Sequence, residues 1–202
     1  RDNLPGLEFR RVLFRSAVSP AFVVPDAALN PRLRFWHWWS FANADFGQVQ
    51  ISTNNGASWL ALSPKYGADG VTNNNDSSGQ WTRGWLDLTR YAGKTVLLGF
   101  YFESHYPTVG AGWYVDDLVI ETGPLAAMVF PEAFEDAAAT DRWQADYGVW
   151  QIGTPTSGPG GAHAGSKALA TILSGNSTDD RRSRAVSPAF VVPDAALNPR
   201  LR

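Results

Sequence analysis

Residues 17–34 read AVSPAFVVPDAALNPRLR, and residues 185–202 repeat the same string. Identity over that length does not arise by chance, so the chain is first of all a repeat-bearing one, with an offset of 168 residues (185 − 17). Two origins account for it: near-identical tandem domains of that period in a longer parent, or one repeat joined to itself during sequence assembly. Under either origin the chain is a window on a longer polypeptide. The consequence for folding is the same as well. A sandwich built from one period has a single position for the segment, so the two copies compete and one is expected to be left poorly packed.

The identity begins abruptly at Ala17, directly after Ser16. Residues 7–16, LEFRRVLFRS, match the conceptual translation of a common sequencing adapter. The stretch is basic and follows neither a period of 2 nor one of 3.6; the alternative is a basic amphipathic arm. Residues 1–16 are therefore set apart from the domain. A second boundary follows GWYVDDLVIE, where Thr122-Gly123-Pro124 punctuates the chain. Residues 17–123 read as the later part of one repeat unit, 124–127 as a linker, and 128–202 as the early part of the next, with a new strand opening near Met128.

Alternation with period 2 marks strands. RLRFWHWWSF at 32–41 carries aromatics on both faces, with Trp36 and Trp38 on one and Phe35, His37 and Trp39 on the other. In GQVQIST, Val49 and Ile51 point one way and Gln48, Gln50 and Ser52 the other. Asn54-Asn55-Gly56 then signals a hairpin, because Asn and Gly tolerate positive φ, and SWLAL at 58–62 is the returning strand. TVLLGFYFE at 95–103 reads as a central strand and GWYVDDLVIE at 112–121 as another. The one helix-like piece is a turn around Asp26 to Leu29. Short strands with turn signals between them describe an all-β fold, an antiparallel β-sandwich of jelly-roll type. Nine Trp, with Gly 19 and Pro 13, fit that reading.

Composition removes several function classes. There is no cysteine, hence no disulfide, thiolate zinc site or cysteine nucleophile. Lys+Arg 17 against Asp+Glu 19 leaves no basic excess for nucleic acid or a membrane surface. No run approaches the ~18 apolar residues of a membrane-inserted helix.

Three blocks carry a family resemblance. The first is Phe134-Glu135-Asp136 followed by VWQIGTPTSGPGGAHAGSKALAT. The second is AVSPAFVVPDA leading to LRFWHWWSF and GQVQISTNNGASW, and the third runs from GWLDLTRYAGKTVLLGFYFES to GWYVDDLVI. In permuted order this succession resembles the MAM-like jelly-roll domains of immune-inhibitor-A-type bacterial metalloproteases. It is also similar to cleaved-adhesin and choice-of-anchor modules of secreted bacterial proteins. YAGKTV and GWYVDD at this spacing are its most specific parts. The resemblance implies a MAM/concanavalin-like or galactose-binding-like sandwich, extracellular or on the cell surface, serving adhesion, substrate targeting or glycan binding, often with a structural calcium ion (Ca2+). It departs from the family after the His37-Trp38 pair, where a Glu is expected and Asp45 is the nearest carboxylate.

For calcium the candidates are Glu135, Asp136, Asp116 and Asp117, since Ca²⁺ takes six to eight hard oxygens. Strict alternation would place Asp117 with Trp113, Val115 and Val119, and Asp116 with Tyr114, Leu118 and Ile120. A carboxylate among buried apolar side chains needs a cation or several donors. The other reading is hydrogen-bonded or exposed carboxylates in turns. For a ligand the candidates are Trp36, Trp38, Trp81 and Trp85, because aromatic faces stack on sugar rings; the other reading is sandwich core. Trp81 and Trp85 lie beside the polar loop Asn73-Asn74-Asn75-Asp76.

His37, His105 and His163 are scattered and fall in no metal-ligand spacing. No GxSxG elbow and no paired carboxylates of a glycosidase stand out. The expectation is a non-catalytic adhesion or substrate-targeting module, its partner an extracellular glycan, a protein or a neighbouring domain. Two alternatives stay open: an ancillary structural domain of a secreted metalloprotease, and a jelly-roll enzyme that cleaves glycans.

Overall fold

The computed structural model describes residues 15–42, 44–67, 76–105, 108–145, 149–177 and 183–200. Two antiparallel sheets make a sandwich. In the first, β9 (Thr95–Glu103) is central, with β4 (Phe46–Ser52) on one side and β1 (Arg15–Val18) and β2 (Phe22–Val23) on the other. The short strands β5 (Leu60–Ala61) and β6 (Tyr66–Gly67) pair with β4. In the second sheet β3 (Arg32–Phe41) is central, flanked by β10 (Gly112–Glu121) on one side and by β7 (Asp76–Ser77) and β8 (Thr82–Asp87) on the other. A short α-helix, α1 (Ala139–Arg142), follows; β11 (Gln144–Ala145) pairs with β14 (Ala185–Val186), and β12 (Gln151–Gly153) with β13 (Ala168–Ala170).

The core lies between the two sheets. From β3 it takes Leu33, Phe35, Trp39 and Phe41; from β4, Val49 and Ile51; from β9, Val96 and Leu98. Aromatic contacts cross the interface, Phe35 on Phe100 and Phe41 on Phe102, with ring centroids 5.5 and 5.3 Å apart. A fully buried Phe or Leu contributes about 1.5–3 kcal/mol, which is why the alternation of β3 decides its orientation. Gly84 opposes Phe35 on β8, and a Cβ there would come within 2.5 Å of the Phe35 ring. Gly47 makes the same kind of room for the Trp113 indole.

The two copies of the repeated segment take unequal places. The first lies along β9: Phe22 faces Val96, Ser19 N–H donates to the Leu98 carbonyl at 2.9 Å, and Val24 N–H to the Lys94 carbonyl at 3.0 Å. In the second, among the described residues, only Ala185 and Val186 pair, with β11, and residues 189–200 are exposed. Val24 is 1% exposed and its twin Val192 63%. Locally the copies are alike. Each makes a single 3-10 turn, Ala27–Leu29 and Ala195–Leu197, with Asp26 or Asp194 accepting a capping N–H at 2.8 Å.

Several expectations need correction. No strand opens near Met128: residues 122–138 hold none, Pro131 brings no N–H to a ladder, and Phe134 sits at φ 62°. The returning strand shrinks to Leu60–Ala61. Ser52 is buried despite its parity, because the turn folds over it and its hydroxyl accepts from Gly56 N–H at 2.9 Å. Short helical turns also occur at Thr89–Tyr91 and in α1. The largest change is in β10. A bulge between Asp116 and Val119, with Asp117 at φ 47°, inverts the parity, so Ile120, and not Val119, joins Trp113 and Val115 against the core. Pairing with β9 also extends back to Arg15 and Ser16, opposite Phe102 and Tyr101. Backbone pairing is indifferent to the origin of those residues; the rest of the stretch set apart, residues 1–14, lies outside the described residues.

Candidate functional site

The outward face of the β3 sheet is built in rows, because directly opposed residues of antiparallel strands share a face. Arg83, Trp36 and Asp116 form one row, Trp85, Arg34 and Val119 the next, and Asp87, Arg32 and Glu121 a third. Ion pairs lace them: Glu121 accepts from Arg32 Nε at 3.1 Å and from Arg83 Nη2 at 3.0 Å. Arg34 is 4% exposed, and burial first, then the neighbouring Arg83, pulls its guanidinium down to about 10.

Residues 139–145 and 149–152 lie over one end of this face. Arg83 pairs with Asp141 and so ties α1 to β8. At the end of α1, Arg142 is held by Glu132 (Nη2 to Oε2 3.1 Å) and Asp136 (Nη1 to Oδ2 2.7 Å). Trp143 donates its indole N–H to Glu132 Oε2 at 3.3 Å and packs on Phe134. Burial pushes the Glu132 carboxyl up, but the Phe134 N–H, the Trp143 indole and Arg142 together outweigh it and hold it below the usual carboxylate value. Trp143 is thereby a fixed wall.

Between this wall and the sheet is a cavity of about 180 Å³. Four tryptophans line it: Trp36 and Trp81 from the sandwich, Trp143 and Trp150 from the later segment. Arg83, Gln144 and Gln151 supply polar side chains; Thr82, opposite the buried His37, turns its own toward the core. Gln151 Oε1 already accepts from Leu173 N–H at 3.0 Å. Gln144 Oε1 and Trp150 Nε1 are shielded from solvent and have no hydrogen-bond partner among the described residues. Such groups cost about 1–3 kcal/mol each when left unmet.

Two of the four ligand candidates, Trp36 and Trp81, thus meet in one cavity. Trp38 and Trp85 are not among its lining residues: Trp38 packs edge-on against Tyr114, with ring centroids 5.5 Å apart, and Trp85 lies opposite Arg34. Of the polar loop beside them, Asn73, Asn74 and Asn75 lie outside the described residues. Trp143 and Trp150 were not anticipated. A signal exists in hindsight, since Trp143-Gln144 and Trp150-Gln151 repeat the same dipeptide and all four residues line the cavity.

The four carboxylates considered for calcium do not come together. Among the described residues no group of three or more His, Asp or Glu is placed to hold a metal. Glu135 accepts from Ser166 N–H and Oγ–H at 2.7 Å and from Lys167 N–H at 2.8 Å, donors that hold its carboxyl below the usual value. Asp136 is taken by Arg142 and the Ala138 N–H, and its carboxyl also titrates low. The bulge leaves both Asp116 and Asp117 exposed, which removes the premise of a buried carboxylate in need of a cation. As placed, this donor set does not fit one calcium sphere. Asp45 is 3% exposed and accepts the His105 N–H at 2.5 Å, a structural contact.

Neither a scan against protein-family models nor a search of curated proteins finds a match for this chain.

Proposed function

We propose that this chain is a non-catalytic sugar-binding module, a jelly-roll sandwich that targets or attaches a secreted or surface protein to a glycan, with the four-tryptophan cavity as its site. The observation that carries the reading is the coincidence, in one cavity, of four indoles with side-chain polar atoms that have no protein partner. A sugar ring presents an apolar C–H face and a rim of hydroxyls that both donate and accept. Indole planes suit the first; Gln144 and the Trp150 N–H suit the second. The volume is below the ~300–1,000 Å³ of drug-sized pockets, so it suits a single ring or chain end. Arg83, the one cation among the described lining residues, is already paired with Asp141 and Glu121, which favours a neutral sugar over an acidic one.

The test is calorimetric titration of the full chain with neutral hexoses, N-acetylhexosamines and uronic acids. Wild type binds a neutral sugar, and Trp36→Ala, Trp81→Ala and Trp143→Ala each lose at least about tenfold in affinity, the equivalent of ~1.4 kcal/mol. No heat with any sugar, or binding undiminished in all three variants, overturns the proposal.

A further inference from the structure

The exposed second copy of the repeated segment is a surface whose partner is written in its own sequence. Residues 185–200 are identical to residues 17–32, and the structure shows what that string does when it packs. In the first copy Phe22 and Val23 pair with Val96 and Thr95, the Ser19 hydroxyl accepts the Leu98 N–H at 3.0 Å, and Val24 exchanges hydrogen bonds with Lys94 and Gly93. Val24 closes that edge of the core at 1% exposure. In the second copy Phe190, Val191 and Val192 are 48%, 92% and 63% exposed. The capped 3-10 turn that orients the string is nevertheless already formed, with Asn198 at φ 46° and ψ 56°, like Asn30 at 48° and 57°. The segment is preshaped for its slot and lies out of it.

We infer that residues 187–200 are a strand donor, and that their acceptor is the β9 edge of a second copy of this sandwich. In the same molecule that edge is filled by residues 15–24, while the donor is led elsewhere by the pairing of Ala185 and Val186 with β11 and by Phe190 resting on Phe130. The donor and the acceptor edge are different surfaces, so the contact is head-to-tail and extends from copy to copy by strand addition. A filled slot resists exchange, because its occupant is tethered and acts at high effective concentration. Emptying the slot exposes the preference.

The experiment uses the full chain in four forms: wild type, Val24→Asp, Val192→Asp and the double variant, each measured for mass in solution and for melting temperature. Val192→Asp melts with wild type. Val24→Asp ejects the first copy, recruits residues 187–200 of other molecules, and forms oligomers that grow with concentration. It melts about 5 °C or more above the double variant, which has no donor and stays monomeric. Equal melting of Val24→Asp and the double variant overturns the inference, and so does rescue of Val24→Asp as a monomer. If Val24→Asp does not fold, the milder pair Val24→Ala and Val24→Ala/Val192→Asp is compared by the same two readouts, with the same outcomes decisive.

Discussion

His37 is the group whose titration opposes the fold most directly. It sits at 1% exposure on the inner face of β3, its ring 5.0 Å from Phe35 and from Trp39 and 4.5 Å from Tyr66, and the Trp113 indole N–H donates to its Nδ1 over a long 3.4 Å. Burial without a carboxylate partner disfavours the imidazolium and lowers the pKa from 6.5 to about 3. The folded value lies below the unfolded one, so between those pH values the unfolded chain binds the extra proton. Stability is complete above the unfolded value and is lost as pH falls through the window. At ~1.4 kcal/mol per unit, the loss reaches about 3 kcal/mol by pH 4.5 and about 5 kcal/mol near pH 3. Other groups also titrate in acid, so the assay is a difference. Wild type and His37→Phe, which keeps a ring in the slot and cannot protonate, are unfolded in urea at pH 7 and pH 4.5 and followed by tryptophan fluorescence. Wild type loses about 3 kcal/mol more than the variant over that interval. Equal losses would show that the imidazole is charged in the folded protein or solvated by a route absent from this packing, and the reasoning would be refuted.

Three further outcomes are expected. Gly84→Ala drives a methyl into the Phe35 ring and destabilises the fold by about 1–3 kcal/mol in chemical denaturation, whereas Gly93→Ala, whose Cβ meets nothing within 4 Å, costs only the strain of its φ of 72°. Glu132→Gln removes the charge that holds Arg142 and loosens the Trp143 wall. It costs about 2 kcal/mol of stability and weakens sugar binding in the titration described above, and full retention of both would assign the wall to packing alone. Calcium and a chelator leave the melting temperature unchanged, because Glu135 and Asp136 are already met by Ser166, Lys167 and Arg142, and Asp116 and Asp117 stand exposed; a rise with calcium would mean that it binds the native state.

How legible the molecule was depends on the range of the interactions involved. β3, β9 and β10 occupy the residues that alternation and β-propensity indicate, and Phe35, Trp39, Val49 and Ile51 face the core as period 2 requires. The failures sit where one residue changes the bookkeeping. A single bulge at Asp116–Val119 inverted the faces of β10, which exposed both aspartates and undid the argument for calcium. Trp36 could be singled out as an aromatic on one face of a strand, and Trp81 as one beside a polar loop. That they share a cavity with Trp143 and Trp150 follows from residues 139–145 and 149–152 lying over the sheet, and no periodicity links positions so far apart.

The twin segments separate the two kinds of information within one chain. The sequence AVSPAFVVPDAALNPR by itself determines a turn: Asp caps it, Asn closes it in the left-handed region, and both copies adopt it to within a few degrees. Those contacts span at most four residues and need nothing else. Burial is different, because apolar area leaves water only against a partner. One β9 edge accepts one copy, so Val24 is core and Val192 is surface, and that assignment belongs to the tertiary structure alone.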